Sequence, residues 1–113
     1  MKIETQKQGD VLIIIPLEKR IDITCAKEFK GKLVDWINEG SRQIVLNLAH
    51  VEFIDSSGLS VLVSSLKTIG KNGDLFLCEI NSELVKNLFD LTRMYLIFKI
   101  FSSQDEAVRA LTH

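Results

Sequence analysis

Apolar positions along the chain alternate between two periods. Ile3 to Lys7 and Val11 to Leu17 read as extended segments around Gln8-Gly9-Asp10, a glycine-centred turn that favours an antiparallel hairpin. From Thr24 the spacing becomes helical. Ala26, Phe29, Leu33, Trp36 and Ile37 fall on one face, with Thr24 placed as N-cap and Gly40 at the exit. Ile44 to Leu48 is a short, branched apolar strand, and Leu59, Leu62, Val63, Leu66 and Ile69 mark a second helix closing at Gly70 or Gly73. Leu75 to Ile80 reads as the next strand, Leu84 to Leu91 as a helix, Ile97 to Phe101 as a last strand and Ser103 to Leu111 as a terminal helix. Strands alternating with helices after a hairpin predict an α/β fold with a mostly parallel sheet and about four helices. The pattern leaves the strand order open.

The 113 residues leave room for one domain, expected over residues 1–113, and no repeat, linker or low-complexity tract divides them. Hydrophobic residues make up 46% and charged residues 26%, which is the balance of a folded domain and not of a disordered one. Fourteen Lys and Arg against fifteen Asp and Glu give a net charge of -1, so the overall field favours neither nucleic acid nor an anionic membrane. The longest apolar run, Val11 to Leu17, is far shorter than the roughly 20 residues of a spanning helix. Residues 1 to 10 lack the apolar core of a signal peptide, so a cytoplasmic protein is expected. Cys25 and Cys78 stand apart without a metal-ligand spacing, fit a reducing compartment, and are expected to act as small buried hydrophobes.

Candidate chemistry concentrates in Phe53-Ile54-Asp55-Ser56-Ser57-Gly58-Leu59, where a strand gives way to an apolar-periodic helix. The N-terminus of a helix carries roughly half a positive charge and unpaired N–H groups, and so attracts phosphate or carboxylate. Gly58 lets another group approach the backbone closely. Asp, Ser and Gly are also ordinary capping residues, so these seven positions alone fit a plain helix cap equally well.

A resemblance covering nearly the whole chain extends this reading. Ile44-Val45-Leu46-Asn47-Leu48, followed by Val51-Glu52-Phe53-Ile54-Asp55-Ser56-Ser57-Gly58-Leu59, resembles the signature of STAS domains, in particular the bacterial anti-sigma factor antagonists. Ile21-Asp22 upstream, and Leu75 to Ile80, Val85 to Thr92, Ile97 to Phe101 and Glu106-Ala107 downstream, are similar to further segments of that family. The resemblance implies a STAS-like fold without enzymatic activity or cofactor, working as a partner switch. A serine kinase that is also an anti-sigma factor would bind the unmodified chain, release its sigma factor and then phosphorylate the antagonist. A phosphatase of the metal-dependent PP2C type would reverse the modification. The acceptor implied is Ser56, directly after the motif aspartate, with Asp22, Asp55, Ser57 and Gly58 on the partner surface. In this picture Asp55 orients or caps and Ser57 adds to the cap. Single STAS domains also serve as subunits docked on transporter ATPases, which is the alternative reading.

Two positions depart from the family pattern: Lys19 and Arg93 stand where glycines are usual, the first beside Asp22 and the second at a helix C-cap. Ser60 replaces another common glycine on what should be an exposed face. A Ser56, His50, Asp hydrolase can be drawn, with Asp55 or Asp22 as third member, but no nucleophile elbow or oxyanion loop accompanies it, so His50 is expected on a surface loop. Asp22 with Asp55 lacks a third metal ligand, and no metal is expected. Lys67 and Lys71 fit the wet face of the second helix, and Phe29, Trp36 and Phe89 the core.

Overall fold

The computed structural model describes residues 1–112. Strand β1 (Ile3–Gln8) turns through Gly9 and Asp10 into β2 (Val11–Pro16), and the two pair antiparallel from Ile3 opposite Pro16 to Gln8 opposite Val11. Gly9 has φ +63°, which side chains with a Cβ adopt reluctantly, so the turn needs its glycine. Then follow β3 (Arg20–Ile21), α1 (Ala26–Asn38), β4 (Gln43–Asn47), β5 (Phe53–Ile54), α2 (Ser56–Ile69), β6 (Asp74–Cys78), α3 (Glu83–Leu91), β7 (Ile100–Phe101) and α4 (Gln104–Leu111). The main sheet has the order β1-β2-β4-β6-β7, antiparallel at its first pair and parallel elsewhere. β3 and β5 form a separate parallel pair. The expected class, an α/β fold with an opening hairpin, a mostly parallel sheet and four helices among the described residues, is what the chain adopts.

The central strands are apolar on both faces, so the sheet needs cover on both. Leu12 and Ile14 of β2, Ile44 and Leu46 of β4 and Leu75 and Leu77 of β6 face one core, where Phe29, Leu33 and Ile37 of α1, Val61, Leu62 and Ile69 of α2 and Val85 and Phe89 of α3 meet them. The intervening residues Val11, Ile13, Ile15, Val45, Phe76 and Cys78 face a smaller core closed by Ala107 and Val108 of α4. Ser103 caps α4: its Oγ accepts from Glu106 N at 3.2 Å and donates to Glu106 Oε1. Glu79 and Asn47 tie it down, through Gln104 N on Glu79 Oε2 and Asn47 Nδ2 on Gln104 Oε1, both at 2.9 Å.

Several boundaries differ from the sequence reading. Thr24 is not the cap of α1, because its N–H and hydroxyl both donate to Asp22 Oδ1, and Cys25 takes the cap position without a side-chain bond. Cys25 is half-buried, whereas Cys78 is buried as expected. The strand expected from Ile97 starts only at Ile100. Met94 and Phe98, four apart and both buried, instead close a short helical turn that leaves Tyr95, Leu96 and Ile97 exposed. Lys71 lies in a tight turn after α2, not on its face. Phe29 and Phe89 are core and Trp36 is half-buried.

Arg93 has φ +57° just after the C-cap Thr92 of α3. The left-handed conformation costs a residue with a Cβ about 1–2 kcal/mol, and glycine's greater unfolded freedom returns about half of that. Arg93→Gly should therefore raise Tm by roughly 2–6 °C, and a melt at or below the wild-type midpoint would contradict this. Ser65 is fully buried on α2 and its Oγ has no hydrogen-bond partner among the described residues. Removing an unsatisfied hydroxyl without changing size should stabilise the fold by about 1 kcal/mol, so Ser65→Ala should shift the urea midpoint upward at constant slope. At the start of α2 the helix lies directly on the β3/β5 pair, where a Cβ on Gly58 would sit 2.3 Å from Ile21 O. Gly58→Ala should cost about 1–3 kcal/mol and lower Tm by roughly 5–20 °C; an unchanged melt would show that this contact gives way freely.

Candidate functional site

The β3/β5 pair brings two distant loops together. Its register sets Arg20 opposite Phe53 and Ile21 opposite Ile54, so Asp22 and Asp55 leave adjacent strands at the same level. Asp55 N donates to Ile21 O at 3.3 Å. The approach to the pair is fixed as well, because Lys19 O accepts from both Glu52 N (2.7 Å) and Phe53 N (3.0 Å). Lys19 has no positive φ, so the residue that stands in for a family glycine carries no backbone strain here.

Asp55 is the N-cap of α2. Its backbone is extended (φ −97°, ψ −176°) and its Oδ1 accepts from Gly58 N at 3.0 Å. Its Oδ2 accepts from Ile23 N at 3.1 Å, across to the β3–α1 turn. One carboxylate thus caps the helix and clamps the neighbouring loop. Asp22 is bound within its own turn: Oδ1 accepts from Thr24 N at 3.0 Å and from the Thr24 hydroxyl, and Oδ2 from Arg20 Nε at 3.3 Å. The Thr24 hydroxyl, then the Thr24 N–H, and the Arg20 guanidinium hold the Asp22 carboxyl below the ordinary carboxylate range, so it remains ionised at neutral and mildly acidic pH. The Arg20 guanidinium also lies over the Phe53 ring, 4.2 Å from its centroid.

The remaining candidates sit on the first turn of α2. Ser56 is its first residue and is exposed, and Ser57 follows half-buried. The cap is supplied by Asp55, and Ser57, expected to contribute, makes no capping bond among the described residues. Gly58 is buried, and the group that approaches its backbone is the domain's own Ile21 carbonyl. From Ser56 an open groove of about 420 Å3 runs along the outer face of α2 past Leu59, Ser60, Val63 and Ser64 to Lys67. Ser60 and Lys67 are exposed there. A separate cleft of about 630 Å3, lined in part by Lys7, Asp10, Arg42 and Gln43, opens where β2 and β4 begin and contains none of the candidates.

His50 is exposed on the turn after β4, and no hydrogen bond joins it to Ser56 or to either aspartate among the described residues. Burial, with Glu79 adding, pushes the Cys78 thiol up to about 12, which keeps it protonated and unreactive. Among the described residues no group of three His, Cys, Asp or Glu side chains is placed to hold a metal ion. Arg20 and Ile23 belong to the site and were not picked out from sequence, and Phe53 was read only as the start of the strand-to-helix stretch. The signal available for Ile23 was an isoleucine in an otherwise polar turn.

Known proteins resemble this chain along nearly its whole length. The profile of the STAS domain matches residues 2–107. A Thermotoga maritima protein, provisionally named an anti-sigma factor antagonist, is 37% identical over 100 residues, 88% of each chain. An anti-sigma-B factor antagonist of Staphylococcus epidermidis is 34% identical over 73 residues, 64% of this chain and 67% of its own. A crystal structure of a Thermotoga maritima protein with the same provisional description superposes with a TM-score of 0.90 at 32% identity, covering 98% of this chain and 95% of that one. With the profile running from the first strand into the last helix, the chain belongs to the STAS domain family.

Proposed function

We propose that this protein is an anti-sigma factor antagonist, a binding module that engages an anti-sigma factor and thereby frees a sigma factor, with Ser56 as its phosphorylation switch. The observation that carries the reading is an exposed serine at the first position of α2, immediately after a capping aspartate, in a chain whose relatives bear that name. Those names also favour this reading over a subunit docked on a transporter ATPase. The chain works in the cytoplasm, and no helix among the described residues is long and apolar enough to cross a membrane.

The partner kinase supplies base, metal ion and ATP, so the antagonist needs only an accessible hydroxyl and contributes no catalytic residue. A phosphate on Ser56 adds about −1.5 to −2 charges. The positive end of the α2 dipole offsets that charge within the domain. The side chains of Asp22 and Asp55 already hold their own donors, so they gain nothing from the phosphate. A protein docked over Ser56 meets the new charge unpaired and out of water. A PP2C-type phosphatase removes it and restores binding.

An unpaired, desolvated charge in an interface costs about 2–5 kcal/mol. At about 1.4 kcal/mol per tenfold, phosphorylation should weaken binding by a factor of about 30 to several thousand. Because Asp55 and not Ser56 is the cap, Ser56→Ala should change stability by less than about 0.5 kcal/mol. It should bind as the unmodified protein does and fail to release in the presence of ATP. The measurement is calorimetric titration of the anti-sigma kinase with unmodified, phosphorylated and Ser56→Ala protein, with thermal melts alongside. Equal affinity for the first two, or phosphate mapped by mass spectrometry to Ser57 or Ser60, would overturn the assignment.

A further inference from the structure

Ile23 is 73% exposed between Asp22 and Thr24. A single exposed apolar side chain is ordinary; what sets this one apart is how rigidly it is presented. Its own N–H is held by Asp55 Oδ2 at 3.1 Å. On one side the Asp22 carboxylate is engaged by Thr24 and Arg20, and on the other Cys25 N and Ala26 N both donate to Asp22 O, at 3.1 and 2.9 Å. The side chain is β-branched and has few rotamers to lose. An apolar group projected from a fixed backbone loses little freedom on binding, which is the property of an interface anchor.

The chemistry next to it is mixed in charge, with Lys19 and Arg20 beside Glu18 and Asp22, and Arg20 is the cation with donors to spare. Arg20 has 61% of its side chain exposed, with Nε on Asp22 and its plane on Phe53. No described hydrogen bond uses its terminal guanidinium nitrogens. A groove of about 430 Å3 continues the surface along Leu17, Glu18, Lys19, Arg20, Asp22 and Thr24. The carboxylate that fixes Ile23 also caps the helix bearing Ser56, so the anchor and the switch belong to one rigid unit.

We infer that Ile23 anchors the partner interface, inserting into an apolar pocket of the anti-sigma protein, with a carboxylate at the pocket's rim paired to Arg20. This rests on the Ser56 reading for the identity of the occupant.

The test titrates the anti-sigma serine kinase, purified without nucleotide, with wild-type protein, phosphorylated protein and the variants Ile23→Ser, Ile23→Leu, Arg20→Gln and Leu96→Ser. Leu96, 70% exposed on the turn after α3, controls for the loss of any surface apolar group. Ile23→Ser should raise Kd by about 10- to 100-fold. Ile23→Leu and Leu96→Ser should stay within about threefold, Arg20→Gln should lose about fivefold or more, and all melts should coincide with wild type. If phosphorylation weakens binding while Ile23→Ser binds as wild type, or if Leu96→Ser loses as much as Ile23→Ser, the anchor is wrong and the switch stands. If Ile23→Ser weakens binding while phosphate on Ser56 does not, the anchor stands and the switch is wrong. A kinase that neither binds nor phosphorylates the wild-type protein overturns both.

Discussion

Three adjacent strands that are apolar on both faces dictate most of this molecule. β2, β4 and β6 present Leu12, Ile14, Ile44, Leu46, Leu75 and Leu77 to one side and Val11, Ile13, Ile15, Val45, Phe76 and Cys78 to the other. Neither side can be left to water, since each buried aliphatic side chain is worth about 1.5–3 kcal/mol. α1, α2 and α3 cover the first face, and the short α4, folded back after the edge strand β7, closes the second. α4 is held there by its Ser103 cap and by the hydrogen bonds that join Gln104 to Glu79 and Asn47.

The site is a by-product of how α2 enters this arrangement. Its first turn must lie against β3 and β5, which the backbone permits because Gly58 has no side chain to meet Ile21 O. That closeness lets the Asp55 carboxylate reach both Gly58 N and Ile23 N. The consequence is a surface made of two loops with a common anchor point, one presenting a hydroxyl and the other an isoleucine. The carboxylates are engaged by N–H and O–H donors, the cysteine with a raised pKa is protonated, and His50 is on another turn. In the proposed role this surface serves recognition, and a charge added at Ser56 is expected to change what it recognises while leaving the fold beneath it alone.

The two positions that depart from the family's glycines separate physically. Lys19 sits on ordinary backbone and contributes a carbonyl to two N–H donors, so its side chain is free to shape the outer surface beside Arg20. Arg93 occupies a left-handed C′ position and bears a conformational cost that glycine would avoid.

Local patterning alone determined the hairpin, the three full-length parallel strands, the four helices and the junction at Asp55-Ser56, because hydrophobic period, turn glycines and capping residues act within a few positions of one another. It misplaced two boundaries where a local signal admits more than one reading. Thr24 looked like a cap until Asp22 claimed its hydroxyl, and Ile97 looked like a strand start although Met94 and Phe98 are drawn into the core together. The strand order, the β3/β5 pair and the meeting of Ile23 with Asp55 were decided only in the tertiary structure. They rest on contacts across some 32 residues of chain, which sequence spacing does not encode and which only packing of the sheet against its helices can select.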